Sequence, residues 1–400
     1  MNLSDCFSIR FCSILAVSFV FFSCENANYQ PEPLDDCQTD FPYSVSLSQA
    51  ISVVGHFIQD KGVSMPTRGN ELIVSDSFTI VDNDNLPIIH TINFDGGGFA
   101  IISGDKRVYP LLAYSFDGCI PSDESAYPSG LKFWLNEVRS GINYIRKNGN
   151  DTNSLSEIVW SRFENESFQT RSMPADSSYW EHLYDNSVGP LLTTTWNQTS
   201  PFNDYLPFVT ATQHAYVGCV PIAIAQIMRY FEYPISYSWS QMPDNTANSY
   251  IYSLINDIWS CFGVGINITY DTSGTYVDSE YNLATYLKNE FGYSTATQIN
   301  YSKHSDYSIV RNELIDYERP VILLGGSGSS GHAWVCDGAH EWEEDIVVNG
   351  KHNVYGYLYF HHVWGGDASY NGWYGFSNFV PTNSGCDYGS NMQLVYNIHP

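Results

Sequence analysis

Among the nine cysteines of this 400-residue chain, Cys219 stands where a thiol could serve as a nucleophile. It follows Gly218 and precedes Val220-Pro221, and an apolar run, Ile222 to Phe231, continues almost to Pro234. Proline in the first turn and a breaker past the end predict a helix that starts at Cys219. The run is apolar nearly all round, which predicts burial. Free N–H groups and the dipole at a helix start favour a thiolate over a thiol. Thiol catalysis further needs a base and an oxyanion donor. His332 suits the first role. It follows the Gly/Ser run 325–331 and opens the apolar strand His332-Ala333-Trp334-Val335, so its backbone can approach the helix start. Gln213 suits the second: six positions before Cys219, its side-chain amide could donate to an oxyanion beside the Cys219 N–H.

Each residue has a plainer reading when taken singly. A buried cysteine is most often an inert apolar group, Gln213 could be a loop residue, and the Gly/Ser run could be a connector. That run is not a phosphate loop, because no Gly-Lys-Ser/Thr ends it and no helix follows. His214 has no evident partner, and His340, His352, His361 and His362 read as surface or packing residues. No C-x-x-C occurs, which removes support for zinc or thioredoxin-like chemistry. No cofactor or metal is implied.

The elements that must position these residues fall into two regions, as the chain length suggests. Helical spacing of Leu47, Ile51, Val54, Phe57 and Ile58, short strands between Leu72 and Tyr114, and an amphipathic helix over Leu131–Arg146 make residues 46–147 a small α+β domain. Residues 148–187 are polar and read as an irregular linker open to cleavage between about Glu164 and Ser187. Residues 188–400 hold the Cys219 helix, helices over Leu283–Phe291 and Ile309–Tyr317, and late strands. An Asp337-Gly338 turn and an Asn349-Gly350 hairpin punctuate those strands. The fold class expected is α+β, with one central helix backed by antiparallel strands.

Residues 1–24 read as a targeting segment: Arg10, then an apolar stretch over Phe11–Phe22 too short to span a bilayer. Ser23-Cys24 resembles a lipoprotein cleavage site with Cys24 as the lipidated residue; simple cleavage is the alternative. Residues 25–45, with Pro31, Pro33 and three aspartates, read as a tether. An exported chain could pair the six remaining cysteines. If Cys219 is catalytic, five are left and at least one is unpaired. The net charge of −26 repels phosphate backbones and argues against nucleic-acid binding.

The residues around these positions resemble the streptopain-type, papain-like cysteine peptidases. Gln213-His214-Ala215-x-x-Gly218-Cys219-Val220, continuing through Ala225-Gln226-Ile227-Met228 to Tyr233-Pro234, resembles their nucleophile region. Gly331-His332-Ala333-x-Val335-x-Asp337-Gly338-Ala339 resembles their histidine region. Trp196-Asn197-Gln198 with Pro201-Phe202-Asn203 is similar to the start of their mature enzyme, and Gly97-Gly98-Phe99-x-Ile101-Ile102-Ser103-Gly104-Asp105 to their propeptide. The resemblance implies a papain-like peptidase domain behind an inhibitory prodomain that proteolysis removes. It makes Cys219 the nucleophile, His332 the general base and acid, Gln213 the oxyanion donor, and Trp364 a residue flanking the histidine. Implied partners are protein or peptide substrates, the chain's own prodomain, and an outer membrane if Cys24 is lipidated. One departure stands out: Val363 occupies the place of an asparagine that orients the histidine. An apolar side chain cannot do that. A backbone carbonyl or another side chain must, or the chain is a weakened homologue that binds or inhibits proteins. Acyl transfer by the same Cys–His machinery is a further possibility of the chemistry.

Overall fold

The computed structural model describes residues 41–61, 67–68, 71–148, 154–164, 179–263, 269–270, 275–276, 282–327, 330–376 and 392–400. All of them lie within one compact unit, Thr39–Pro400. Cys24, the leader and most of the expected tether are outside the described residues, as is 165–178 of the expected cleavage window.

The N-terminal part holds helix α1 (Leu47–Lys61), the short pair β1 (Thr67–Arg68) and β2 (Glu71–Leu72), and strands β3 (Val74–Val81), β4 (Pro87–Phe94), β5 (Phe99–Ser103) and β6 (Leu111–Ser115). Helices α2 (Ser129–Asn148) and α3 (Ser154–Glu164) follow, then strand β7 (Tyr179–Val188). The C-terminal part opens with α4 (Cys219–Phe231), α5 (Ser249–Gly263), the short pair β8 (Thr269–Tyr270) and β9 (Thr275–Tyr276), and α6 (Leu283–Phe291). It ends with β10 (Thr295–Tyr301), α7 (Lys303–Ile315), β11 (Val321–Ser327), β12 (Ser330–Val347), β13 (Val354–Val363), β14 (Gly372–Gly375) and β15 (Met392–His399).

One antiparallel sheet runs β10-β15-β11-β12-β13-β14-β6-β5-β4-β3, with β7 also paired to β12. The N-terminal strands therefore continue the sheet of the C-terminal part. The join is the pairing of β14 with β6, Trp373 opposite Tyr114 and Tyr374 opposite Ala113. The side chains follow the same continuity. Val53 and Phe57 of α1, Trp160 of α3, Ile92 and Ala100 pack in one cluster with Trp342, Tyr359 and Trp373 of the later strands. The Tyr359 hydroxyl, wholly buried, donates to the Leu111 carbonyl across the join at 2.7 Å.

Strand β12 sorts its alternate residues into two layers, as the period of a strand requires. Ala333 and Val335 join the core around α4. Trp334 and Cys336 join the core that contains Leu131, Trp134 and Val138 of α2. His332, near the start of the strand, shares the face of Trp334, whose ring it stacks on.

Two expectations are corrected. The polar stretch 148–187 is not irregular where it is described. Val159, Trp160 and Phe163 bury one side of α3, and β7 pairs with β12 from Tyr179 opposite Val347 to Val188 opposite Ala339. A polar sequence concealed an edge strand whose outer residues stay in solvent. Asp337-Gly338 is not a turn either: β12 runs straight through, with a bulge between Cys336 and Gly338. A Cβ on Gly338 would approach His361, Trp373 and the Val188 carbonyl to 3.0 Å, so glycine there serves close approach. The buried Asp337 carboxylate takes a hydrogen bond from His361 at 2.6 Å and one from the Leu192 N–H at 2.9 Å.

Arg162 of α3 pairs with Glu344 of β12, their side chains 5% and 3% exposed, and its guanidinium lies 3.8 Å from the Trp180 ring centre. Removing one partner of a buried pair strands the other's charge. Arg162→Ala should cost about 3–5 kcal/mol in urea unfolding of the full chain. A loss below about 1 kcal/mol would match an exposed pair instead.

Candidate active site

Gly218, at φ 90°, turns the chain into α4, and Cys219 is the first helical residue. Its own N–H and those of the next residues have no partner within the helix, so the helix start favours negative charge on the sulfur. Val220 to Met228 are buried, which fixes the helix as a rigid post. Cys219 itself is only partly covered.

His332 is brought to this sulfur by the β11–β12 hairpin, in which it sits opposite Gly325. The two side chains lie close enough that the charge of each shifts the protonation of the other. His332 Nε2 donates to the Trp364 carbonyl oxygen at 2.9 Å, which leaves Nδ1 for the sulfur. Burial pushes the Cys219 thiol up, but the His332 charge and hydrogen bond, with the N–H groups of Ala333 and Val220, outweigh it and hold the thiol below its ordinary value. Burial pushes His332 down, but the Cys219 charge and hydrogen bond and the Trp364 carbonyl hold it above its ordinary value. Both shifts favour a thiolate–imidazolium pair.

The carbonyl that faces His332 belongs to a well-anchored residue. Trp364 is 1% exposed, its N–H donates to Asn371 Oδ1 at 3.1 Å and its indole N–H to the Tyr370 carbonyl at 3.0 Å. Trp334 stacks on the His332 ring, centroids 6.1 Å apart and planes 15° apart, and packs against Trp364. The Trp334 indole donates to His362 Nδ1 at 3.1 Å, and burial holds His362 far below its ordinary value, so it stays a neutral acceptor. Val363 packs in the core around α4. Of the alternatives open in the sequence, the backbone carbonyl is the one the structure supplies.

Gln213 closes a tight turn: its N–H donates to Thr210 Oγ1 at 3.0 Å, and its carbonyl accepts from the Val209 N–H at 2.9 Å. His214 has a partner after all, the Leu206 carbonyl at 2.5 Å, and its ring lies 3.8 Å from that of Phe208. Sequence reasoning quoted Gln198 only as part of a motif, yet this residue bridges the two halves of the site. Its carbonyl accepts from the Val217 N–H at 3.0 Å, two residues before Cys219, and its side-chain amide donates to the Gly365 carbonyl at 3.3 Å, next to Trp364. The spacing from Gln198 to Cys219 spans a loop, so no local pattern marks it.

The N-terminal part touches this site directly. A Cβ on Gly130, in the first turn of α2, would lie 2.5 Å from the Trp364 ring and 2.8 Å from His332 Cδ2. The helix start thus lies flat on the histidine, a place only glycine can take. The Cys119 N–H donates to the Ser369 carbonyl at 3.1 Å, bracing the segment after Trp364. Cys119, Cys261 and Cys336 are unpaired, like Cys219. Among the described residues no group of three or more His, Cys, Asp or Glu could hold a metal ion, and no helix is long and apolar enough to cross a membrane.

Residues 196–236 and 235–374 match the Peptidase C10 family, and residues 42–142 match the Spi protease inhibitor family. The chain is 25% identical over 342 residues to the thiol protease/hemagglutinin PrtT of Porphyromonas gingivalis, a match that covers 76% of this chain and 36% of that protein. It is 25% identical over 293 residues to streptopain of Streptococcus pyogenes, covering 63% of this chain and 68% of that protein. Its fold resembles that of a prointerpain A fragment from Prevotella intermedia, with a TM-score of 0.55 and 22% identity, over 82% of this chain and 99% of that one. The C-terminal part of the chain thus matches the C10 peptidases and the N-terminal part the Spi inhibitor family, and the fold resembles the papain-like α/β fold, with a smaller domain ahead of a larger one.

Proposed function

We propose that this chain is an exported cysteine-type endopeptidase made as a precursor, with Cys219 as nucleophile and His332 as acid and base. The observation that carries the reading is the placement of His332 between the Cys219 sulfur and the Trp364 carbonyl. In the reaction so assigned, the thiolate adds to the scissile carbonyl and that bond's electron pair moves to oxygen. The Cys219 N–H at the helix start and a side-chain amide hold the oxyanion. His332 Nδ1–H protonates the leaving amine as the C–N bond breaks, giving a thioester. Water, losing a proton to His332, then releases the acid and restores the thiolate. The Trp364 carbonyl, which can orient the ring where Val363 cannot, supports the active reading over a weakened homologue.

The N-terminal domain is the proposed inhibitor, through the contact of Gly130 with Trp364 and His332. Residues 165–178 are the proposed cut, because α3 ends at Glu164 and β7, starting at Tyr179, is held to β12. Lipidation at Cys24 is proposed from the leader pattern alone, and fatty-acid labelling that survives a Cys24→Ser change would overturn it.

The pair fixes the pH dependence. Activity is lost as pH falls through the lowered Cys219 value, where the thiolate is protonated. It is lost again as pH rises through the raised His332 value, where the acid for the leaving amine disappears. The two limbs of a bell-shaped kcat/KM belong to the coupled pair. Iodoacetamide should alkylate Cys219 close to its maximal rate at neutral pH, and Cys219→Ala should abolish cleavage of casein. A single rise in alkylation at ordinary thiol pH, or cleavage by Cys219→Ala, contradicts the reading.

Gln198 and Gln213 compete as the oxyanion donor, and the ties of Gln198 to both Val217 and Gly365 favour it. Gln198→Ala should lower kcat about 100- to 1,000-fold, and Gln213→Ala should have little effect. The reverse pattern would restore the role to Gln213.

Gly130→Ala should push α2 off the histidine. The uncut chain should then turn over a small peptide ester faster than the parent, and N-terminal sequencing should place the new terminus between Glu164 and Tyr179. An unchanged basal rate, or a terminus within β7, would count against this arrangement.

A further inference from the structure

The place usually filled by a side-chain amide beside the histidine is filled here by a peptide carbonyl, and a carbonyl orients a ring only as well as its own peptide is fixed. The Trp364 carbonyl belongs to the peptide between Trp364 and Gly365. Nothing inside a strand holds it, because β13 ends at Val363 and β14 begins at Gly372. Gly365, with φ 71°, is a residue about which that peptide could swing. The structure holds it from both sides. Upstream, the Trp364 N–H is taken by Asn371 Oδ1 at 3.1 Å. Downstream, the Gly365 carbonyl is taken by the Gln198 side chain at 3.3 Å. Asn371 is itself set by a short 3-10 turn, Ala368–Tyr370, capped by Asp367, with its own N–H donating to the Ala368 carbonyl at 3.0 Å.

We propose that Asn371 is the positioning residue of His332. It holds the Trp364 N–H, one peptide before the carbonyl that orients the ring, and so performs at one remove the task that Val363 cannot. This rests on the peptidase reading above. Asn371 acts through Trp364, whose N–H its Oδ1 accepts. The group that raises His332 most is Cys219, and His362, behind Trp334, stays uncharged, so a change at Asn371 reaches the pair through the carbonyl. Loss of that hydrogen bond removes support for the protonated ring. His332 then deprotonates at lower pH, and the thiolate it stabilises forms at higher pH.

The test compares the full chain, allowed to mature, as parent, Asn371→Ala and Asn371→Asp. Aspartate keeps an oxygen to accept from the Trp364 N–H; alanine does not. Asn371→Ala should lower kcat about 10- to 100-fold, the range for removing a partner that orients a functional group, with KM little changed. Both limbs of its kcat/KM profile should move inward. Asn371→Asp should recover most of kcat. A second readout needs no turnover: the pH dependence of Cys219 alkylation by iodoacetamide, followed by peptide mass, should shift to higher pH in Asn371→Ala and return in Asn371→Asp. If Asn371→Ala loses activity only in proportion to folded protein, with unchanged limbs and alkylation, the proposal is overturned. If the parent itself shows neither a low-pH thiolate nor peptide cleavage, the peptidase reading fails instead.

Discussion

The site depends on one constraint: an imidazole must stand edge-on between a sulfur at a helix start and an oxygen acceptor, with no freedom to turn away. The helix that begins at Cys219 supplies the sulfur and part of its stabilisation. The Trp364 carbonyl supplies the acceptor at 2.9 Å. The stacked Trp334 ring closes one face of the imidazole, and the first turn of α2 lies against its Cδ2 edge. Neither partner alone suffices. A buried histidine is ordinarily pushed toward neutrality, and here the adjacent sulfur and carbonyl together reverse that tendency.

The N-terminal domain is built into this constraint instead of being appended to it. Its strands extend the sheet of the C-terminal part through β6 and β14, its helices α1 and α3 share a core with Trp342, Tyr359 and Trp373, and its α2 reaches the histidine through Gly130. Glycine in the first turn of a helix lowers local helix stability by about 1 kcal/mol relative to alanine. The close approach to Trp364 explains why that cost is carried at this position. The same elements that complete the core of the uncut chain therefore also cover the ring that would do the chemistry.

Much of the candidate site's placement was legible in the sequence, because it rests on local patterns. Gly218-Cys219-Val220-Pro221 writes a helix start, and a Gly/Ser run followed by an apolar strand writes the hairpin that delivers His332. Which acceptor His332 uses was not legible: a peptide carbonyl has no residue type, so Val363 left a backbone carbonyl open beside a side chain or a weakened site, and the structure places the Trp364 carbonyl there. Gln198 escaped for a different reason, since its link to the site is made by folding and not by spacing. Asp337-Gly338 was misjudged because turn residues also serve bulges, and the polar face of β7 hid a strand that needs only one neighbour. The continuity of the sheet across both domains rests on two residue pairs, too short a register to announce itself in sequence.

The central claim is that His332 is an imidazolium held by the thiolate of Cys219 on one nitrogen and the Trp364 carbonyl on the other. Nitrogen-15 NMR of histidine-labelled full chain reads this directly. At neutral pH both ring nitrogens of His332 should carry protons in the parent, and Cys219→Ala should convert the ring to a neutral tautomer protonated on Nε2. A neutral His332 in the parent, or a ring whose protonation does not respond to Cys219→Ala, would contradict the account.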